Sequence, residues 1–62
     1  MSLLKAGDLV ELDNSQRKNG RYAGKLGLIV ATDYYSNYVV NIEGEVKKFH
    51  TTQIVGAVDE SR

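Results

Sequence analysis

Tyr38-Val39-Val40-Asn41-Ile42-Glu43-Gly44-Glu45-Val46-Lys47-Lys48-Phe49-His50 is the stretch on which the architecture turns. Tyr38 to Glu43 is rich in β-branched and aromatic residues, with Tyr38, Val40 and Ile42 at every second position. That spacing predicts a strand carrying those three side chains on one face. Glu43-Gly44 is a two-residue loop in which glycine accepts a positive φ, so Gly44 is a structural position and Glu45 to His50 returns as the second strand of a tight hairpin. Thr51-Thr52-Gln53 is too short for a helix and suits a single 3₁₀ turn, held by hydrogen bonding from His50 at the strand end. Ile54 to Val58 then predicts a brief last strand, followed by a polar tail from Asp59 to Arg62.

Working back towards the N-terminus, Tyr34 to Asn37 predicts a turn, with Asn37 suited to a positive φ. Leu26 to Asp33 predicts another strand, but its apolar residues do not alternate cleanly: Leu26, Leu28 and Val30 compete with Ile29 and Ala31. A β-bulge or a strand that changes sheets would reconcile them. Asn14 to Gly24 is polar, with Asn19-Gly20 as a turn signal. Asp8 to Asp13 reads as the first strand, with Val10 and Leu12 on one face. No segment shows a helical hydrophobic period over ten residues. Five short strands with one long loop after the first predict an all-β chain closed into a small barrel, a single domain over residues 1–62 with its ordered core at 5–58. The expected core is Val10, Leu12, Leu26, Ile29, Val40, Ile42, Val46 and Ile54.

Three segments carry a family resemblance: Gly7-Asp8-Leu9-Val10-Glu11-Leu12, Gly24-Lys25-Leu26-Gly27-Leu28-Ile29-Val30 and Tyr38-Val39-Val40-Asn41-Ile42. Together they resemble the KOW-type SH3-like barrel, in which a "GD-x-V" strand leads to a "GK-x-G-x-V" strand and then a "V-V" strand. Gly27 takes the position of that family's characteristic glycine, where a side chain on a sharply bent strand would meet a crossing backbone. Val46 to Ile54 is similar to small barrels among tailed-phage proteins. The resemblance implies a five-stranded SH3-like barrel with one 3₁₀ turn before the last strand. By function it implies either a phage structural or accessory protein, in the host cytoplasm or with the virion, or a KOW-like RNA-binding module.

Composition narrows the functional classes. Eight basic residues balance eight acidic ones, whereas nucleic-acid binders draw much of their affinity from a basic excess. There is no cysteine and one histidine, so a structural zinc site lacks its ligands. The longest apolar run, Leu28-Ile29-Val30-Ala31, is far too short to cross a bilayer, and Met1 to Lys5 has no signal-peptide h-region. A soluble, cytoplasmic protein is expected. No serine elbow, glycine-rich phosphate loop or nucleophile–base pair accompanies His50, so the expectation is a non-enzymatic binding module without a cofactor.

Two clusters are candidate partner-binding sites. Arg17 to Lys25 holds Arg17, Lys18, Arg21 and Lys25 with no intervening acid, and Tyr22 sits among them as a packing or stacking platform. The alternative for this run is a solvated loop whose charges pair with Asp8, Glu11 and Asp13. Tyr34, Tyr35 and Tyr38 surround the second turn, and tyrosine is enriched at binding surfaces. The expected ligand surface joins Arg17, Arg21, Tyr22, Tyr34, Tyr35 and Lys47, with a protein partner favoured over nucleic acid. Salt dependence of binding would separate the two, since only the nucleic-acid complex should weaken steeply.

Overall fold

The computed structural model describes residues 4–33 and 36–58. Five strands, β1 (Leu9–Leu12), β2 (Leu26–Thr32), β3 (Asn37–Ile42), β4 (Glu45–His50) and β5 (Ile54–Ala57), form one antiparallel sheet in the order β4-β3-β2-β1-β5. The hairpin and the short turn before β5 stand as the sequence predicts. Glu43 and Gly44 both take positive φ, 54° and 88°, the geometry whose twist matches that of the flanking strands. Thr51–Gln53 is a 3₁₀ turn, and the His50 ring accepts a hydrogen bond from Thr52 N while Gln53 Oε1 accepts one from His50 N at 2.9 Å. At the preceding turn the positive φ belongs to Ser36 (66°), not Asn37, which already opens β3 and donates its backbone N–H to Asp33 Oδ1.

The expected closed barrel is not formed. The sheet is open, with β4 and β5 as its two outer strands and no ladder joining them among the described residues. The reason lies in the connections. The three-residue 3₁₀ turn leads from β4 into a β5 of only four residues, which pairs with β1 alone. The seam between β4 and β5 is spanned instead by the chain between β1 and β2. This connection is more than a polar loop: Ser15 caps a single helical turn, α1 (Gln16–Asn19), and Gly20–Tyr22 follows as a 3₁₀ turn. On one side Tyr22 sets its ring edge-on against Phe49 of β4, centroids 5.8 Å apart. On the other, Asn19 Nδ2 donates to the carbonyls of Asp13 (2.7 Å) and Gln53 (3.0 Å), while Gln53 Nε2 donates to Lys18 O and to Asn19 Oδ1. Asn19 is buried, and these bonds satisfy the buried amide.

All five strands contribute to one core of Val10, Leu12, Ile29, Val40, Ile42, Phe49 and Ile54, with Leu4, Tyr22 and Tyr38 packed against it. Two of the expected core residues, Leu26 and Val46, are instead exposed, and Phe49 takes an inner place that was not foreseen. Register explains the exchange: Ile42 pairs with Glu45 across the two-residue loop, so Glu45, Lys47 and Phe49 share the inner side of β4 and Val46 turns outward beside Asn41. The expected bulge in β2 is present, between Ile29 and Ala31, and a second lies between Glu11 and Leu12.

Gly27 is buried, and a β-carbon there would lie 2.8 Å from Ile42 Cγ1 and nearer still to Val40 Cγ1. The obstruction comes first from side chains of β3, with the Asn41 carbonyl at 3.2 Å behind them, and the bulge falls two residues further on. Gly27 is therefore needed for close packing of β2 on the core rather than for a bend at its own position.

Candidate functional site

Two surfaces face away from one another. The first lies where the β1–β2 connection meets the hairpin. Arg21 Nη2 donates to Glu45 Oε1 and to the Tyr22 phenol oxygen, both at 2.8 Å, and its guanidinium stands 4.8 Å from the centroid of the Tyr22 ring. The Tyr22 hydroxyl in turn donates to the same Glu45 oxygen. The Tyr22 hydrogen bond, with the Arg21 charge beside it, holds the Glu45 carboxyl below its ordinary range. Accepting that proton raises the Tyr22 phenol, and the Glu45 charge raises Arg21. Lys25 pairs with Glu43 at 3.3 Å, and Lys18 with Asp13 at 3.8 Å. Three of the four cations of the connection thus carry an acidic partner, though two of those acids come from the hairpin rather than from Asp8 and Glu11.

Of the residues expected to bind a partner, Arg21 and Tyr22 meet in this cluster. Lys47 lies on the same side of β4 as Glu45 and Phe49, and Arg17 lies on α1; neither side chain forms a hydrogen bond or ion pair with the described residues. Tyr34 and Tyr35 lie outside the described residues. Tyr38 packs against the core. Gly44 serves the hairpin. His50 caps the second 3₁₀ turn, its Nδ1 facing both the backbone N–H and the hydroxyl of Thr52 at 3.2 Å. Among the described residues no three His, Cys, Asp or Glu side chains are grouped to hold a metal ion, and no helix is long and apolar enough to cross a membrane.

The second surface is the outward face of the sheet, which the expected site did not include. Strand pairing aligns Leu9, Leu28, Asn41 and Val46 in one row across β1, β2, β3 and β4. Leu26 and Val30 extend it along β2, and Ala31 and Val39 lie beside Val30 at the bulge. Leu28 is 47% exposed, Leu26 and Val30 49%, and Val46 56%. Single exposed apolar residues are ordinary, but this group is contiguous and crosses four strands. The signal was present in the sequence as the competition between Leu26-Leu28-Val30 and Ile29-Ala31: β2 is apolar on both faces, the composition of a strand covered on both.

No protein-family model, curated protein or solved structure matches this chain. With the sheet open, the resemblance to KOW-type SH3-like barrels and to phage barrels does not stand. What the geometry supports is a small five-stranded antiparallel sheet protein.

Proposed function

We propose that the chain is a non-enzymatic, soluble cytoplasmic module that binds protein, and that its docking surface is the outward face of β1 to β4. The observation that carries the reading is the contiguous exposure of Leu26, Leu28, Val30 and Val46 on a sheet whose inner face already holds a complete core. Taking such a side chain from full exposure to full burial is worth roughly 1.5–3 kcal/mol in transfer free energy, and about half of that is still to be gained by a partner that covers these half-exposed residues. Protein is favoured over nucleic acid because Lys18, Arg21 and Lys25 are each engaged by a carboxylate, which leaves Arg17, Lys47 and Lys48 as the cations of the described residues without an ion pair to replace phosphate counterions. His50 is occupied as a cap, so a catalytic role finds no support in it.

Photo-cross-linking tests the proposal. A photoreactive residue replacing Leu28 should form protein adducts in the cells that make this chain, and the same residue replacing Gln16, on α1 across the molecule, should not. Equal or absent cross-linking from the two positions would remove the outward face from consideration.

A further inference from the structure

We propose that the occupant of the outward face is a second copy of this chain, packed face to face about a twofold axis, with Glu11 of each subunit paired to Lys48 of the partner subunit. The inference rests on the docking role of this face and names what docks there.

Strand register gives the map. Glu11 stands beside Leu26 at one corner of the apolar group; two residues along lies the row Leu9, Leu28, Asn41, Val46; two further lies the row Ala31, Val39, Lys48. Glu11 on β1 and Lys48 on β4 are therefore diagonal corners. At usual strand spacing and rise they are roughly 20 Å apart along the sheet. Both are exposed, and neither side chain has a hydrogen bond or ion pair with the described residues.

An isologous interface requires one patch to be complementary to itself. A twofold axis lying between the two faces and perpendicular to the Glu11–Lys48 diagonal exchanges the corners. Each carboxylate then meets an ammonium, and the leucines and valines meet one another at the centre. The arrangement is an apolar core with charged pairs at its rim. Of the central polar residue, Asn41, the Oδ1 already accepts the Gly44 N–H at 3.1 Å, and the Nδ2 is left to bond across the interface. The formal net charge is zero, so two copies approach without net repulsion. A chain of 62 residues has a small core, and association is one of the usual ways such a domain gains stability.

Sedimentation equilibrium of the purified chain, from micromolar to millimolar concentration, decides the matter. The expected result is a reversible monomer–dimer equilibrium. Glu11→Lys and Lys48→Glu should each weaken it at least about tenfold, since each change places like charges together at both rims, and the double variant should recover most of the loss. Both sites are exposed, and circular dichroism establishes that the variants fold. Leu28→Asp should abolish the dimer independently. A chain that stays monomeric throughout overturns the proposal, while cross-linking from position 28 to a different protein would still uphold the docking face. A dimer indifferent to both charge reversals and to Leu28→Asp has its interface elsewhere and overturns it too.

Discussion

Asn19 and Gln53 are joined by two hydrogen bonds, Asn19 Nδ2 donating to the Gln53 carbonyl at 3.0 Å and Gln53 Nε2 donating to Asn19 Oδ1 at 3.1 Å. The pair fastens the β1–β2 connection to the entry of β5. Asn19→Ala strips a donor from two backbone carbonyls, those of Asp13 and Gln53, and leaves the Gln53 amide short of an acceptor. A buried polar group deprived of its partner costs about 1–3 kcal/mol. Urea denaturation of Asn19→Ala should show a loss of at least that size, and Asn19→Asp should lose more because it turns the donor into a charged acceptor. A variant with an unchanged midpoint would mean that the amide pair does not hold the seam.

Gly27→Ala should destabilise the domain by about 1–3 kcal/mol, the range for overpacking a filled core. The added methyl group would collide with Val40 Cγ1 and Ile42 Cγ1, both on branched carbons close to the β3 backbone and with little freedom to move aside. Combining it with Val40→Ala should give a loss smaller than the sum of the two single losses, because the second change opens the space that the first requires. Strict additivity in thermal melts would place the strain elsewhere.

Phe49→Ala should cost about 3–5 kcal/mol, enough to unfold much of a small domain at 37 °C, since it removes a buried ring and the seat of Tyr22. Val46→Ser, three residues earlier, should stay within about 1 kcal/mol of the parent in the monomer, because its side chain lies on the outward face. The reverse ranking would show that β4 is turned over.

The Tyr22–Glu45 hydrogen bond predicts two limbs in the pH dependence of stability. The Glu45 carboxyl is lowered in the folded state, so its contribution is present above the ordinary carboxylate range and is lost as pH falls through the folded value. The Tyr22 phenol is raised, so its contribution is present below the ordinary phenol range and is lost as pH rises through the folded value. Tyr22→Phe should flatten the alkaline limb and reduce the acid one. The acid limb should not vanish, because Asp8 is also lowered, chiefly by the hydrogen bond from the Lys5 backbone N–H. Ultraviolet titration of the phenols alongside denaturation at each pH checks both limbs.

How much of this was legible in the sequence varies by residue. Glu43-Gly44 and Thr51-Thr52-Gln53 were, because positive φ at a two-residue loop and a three-residue 3₁₀ turn are local requirements. The outward turn of Val46 follows from the same loop, since its two flanking residues, Ile42 and Glu45, must share a side. Polarity obscured it: Glu45 and Lys47 look like outer-face residues, and they occupy the inner side only because β4 is an outer strand with Arg21 and Tyr22 at hand. Asn19 read as a turn residue because its real partners, Asp13 and Gln53, are brought together only by the tertiary fold. The open sheet was hidden for a related reason. Five short strands are compatible with a closed or an open sheet, and what decides between them is whether β5, only four residues long, pairs with β4 as well as with β1.

The pairing of β1 with β5 imposes an order on synthesis. Among the described strands, the first to be made has as one neighbour the last, and β5 also carries Ile54 into the core and positions Gln53 for Asn19. A nascent chain stopped after β4 holds the hairpin and the β2–β3 ladder, but the outer side of β1 is bare and the fastening of the seam is missing. β5 must therefore be made through residue 57 and have left the exit tunnel before the sheet can be completed. Until then the half-made protein displays the inner faces of Val10 and Leu12 to whatever chaperone or neighbouring chain stands at the tunnel exit.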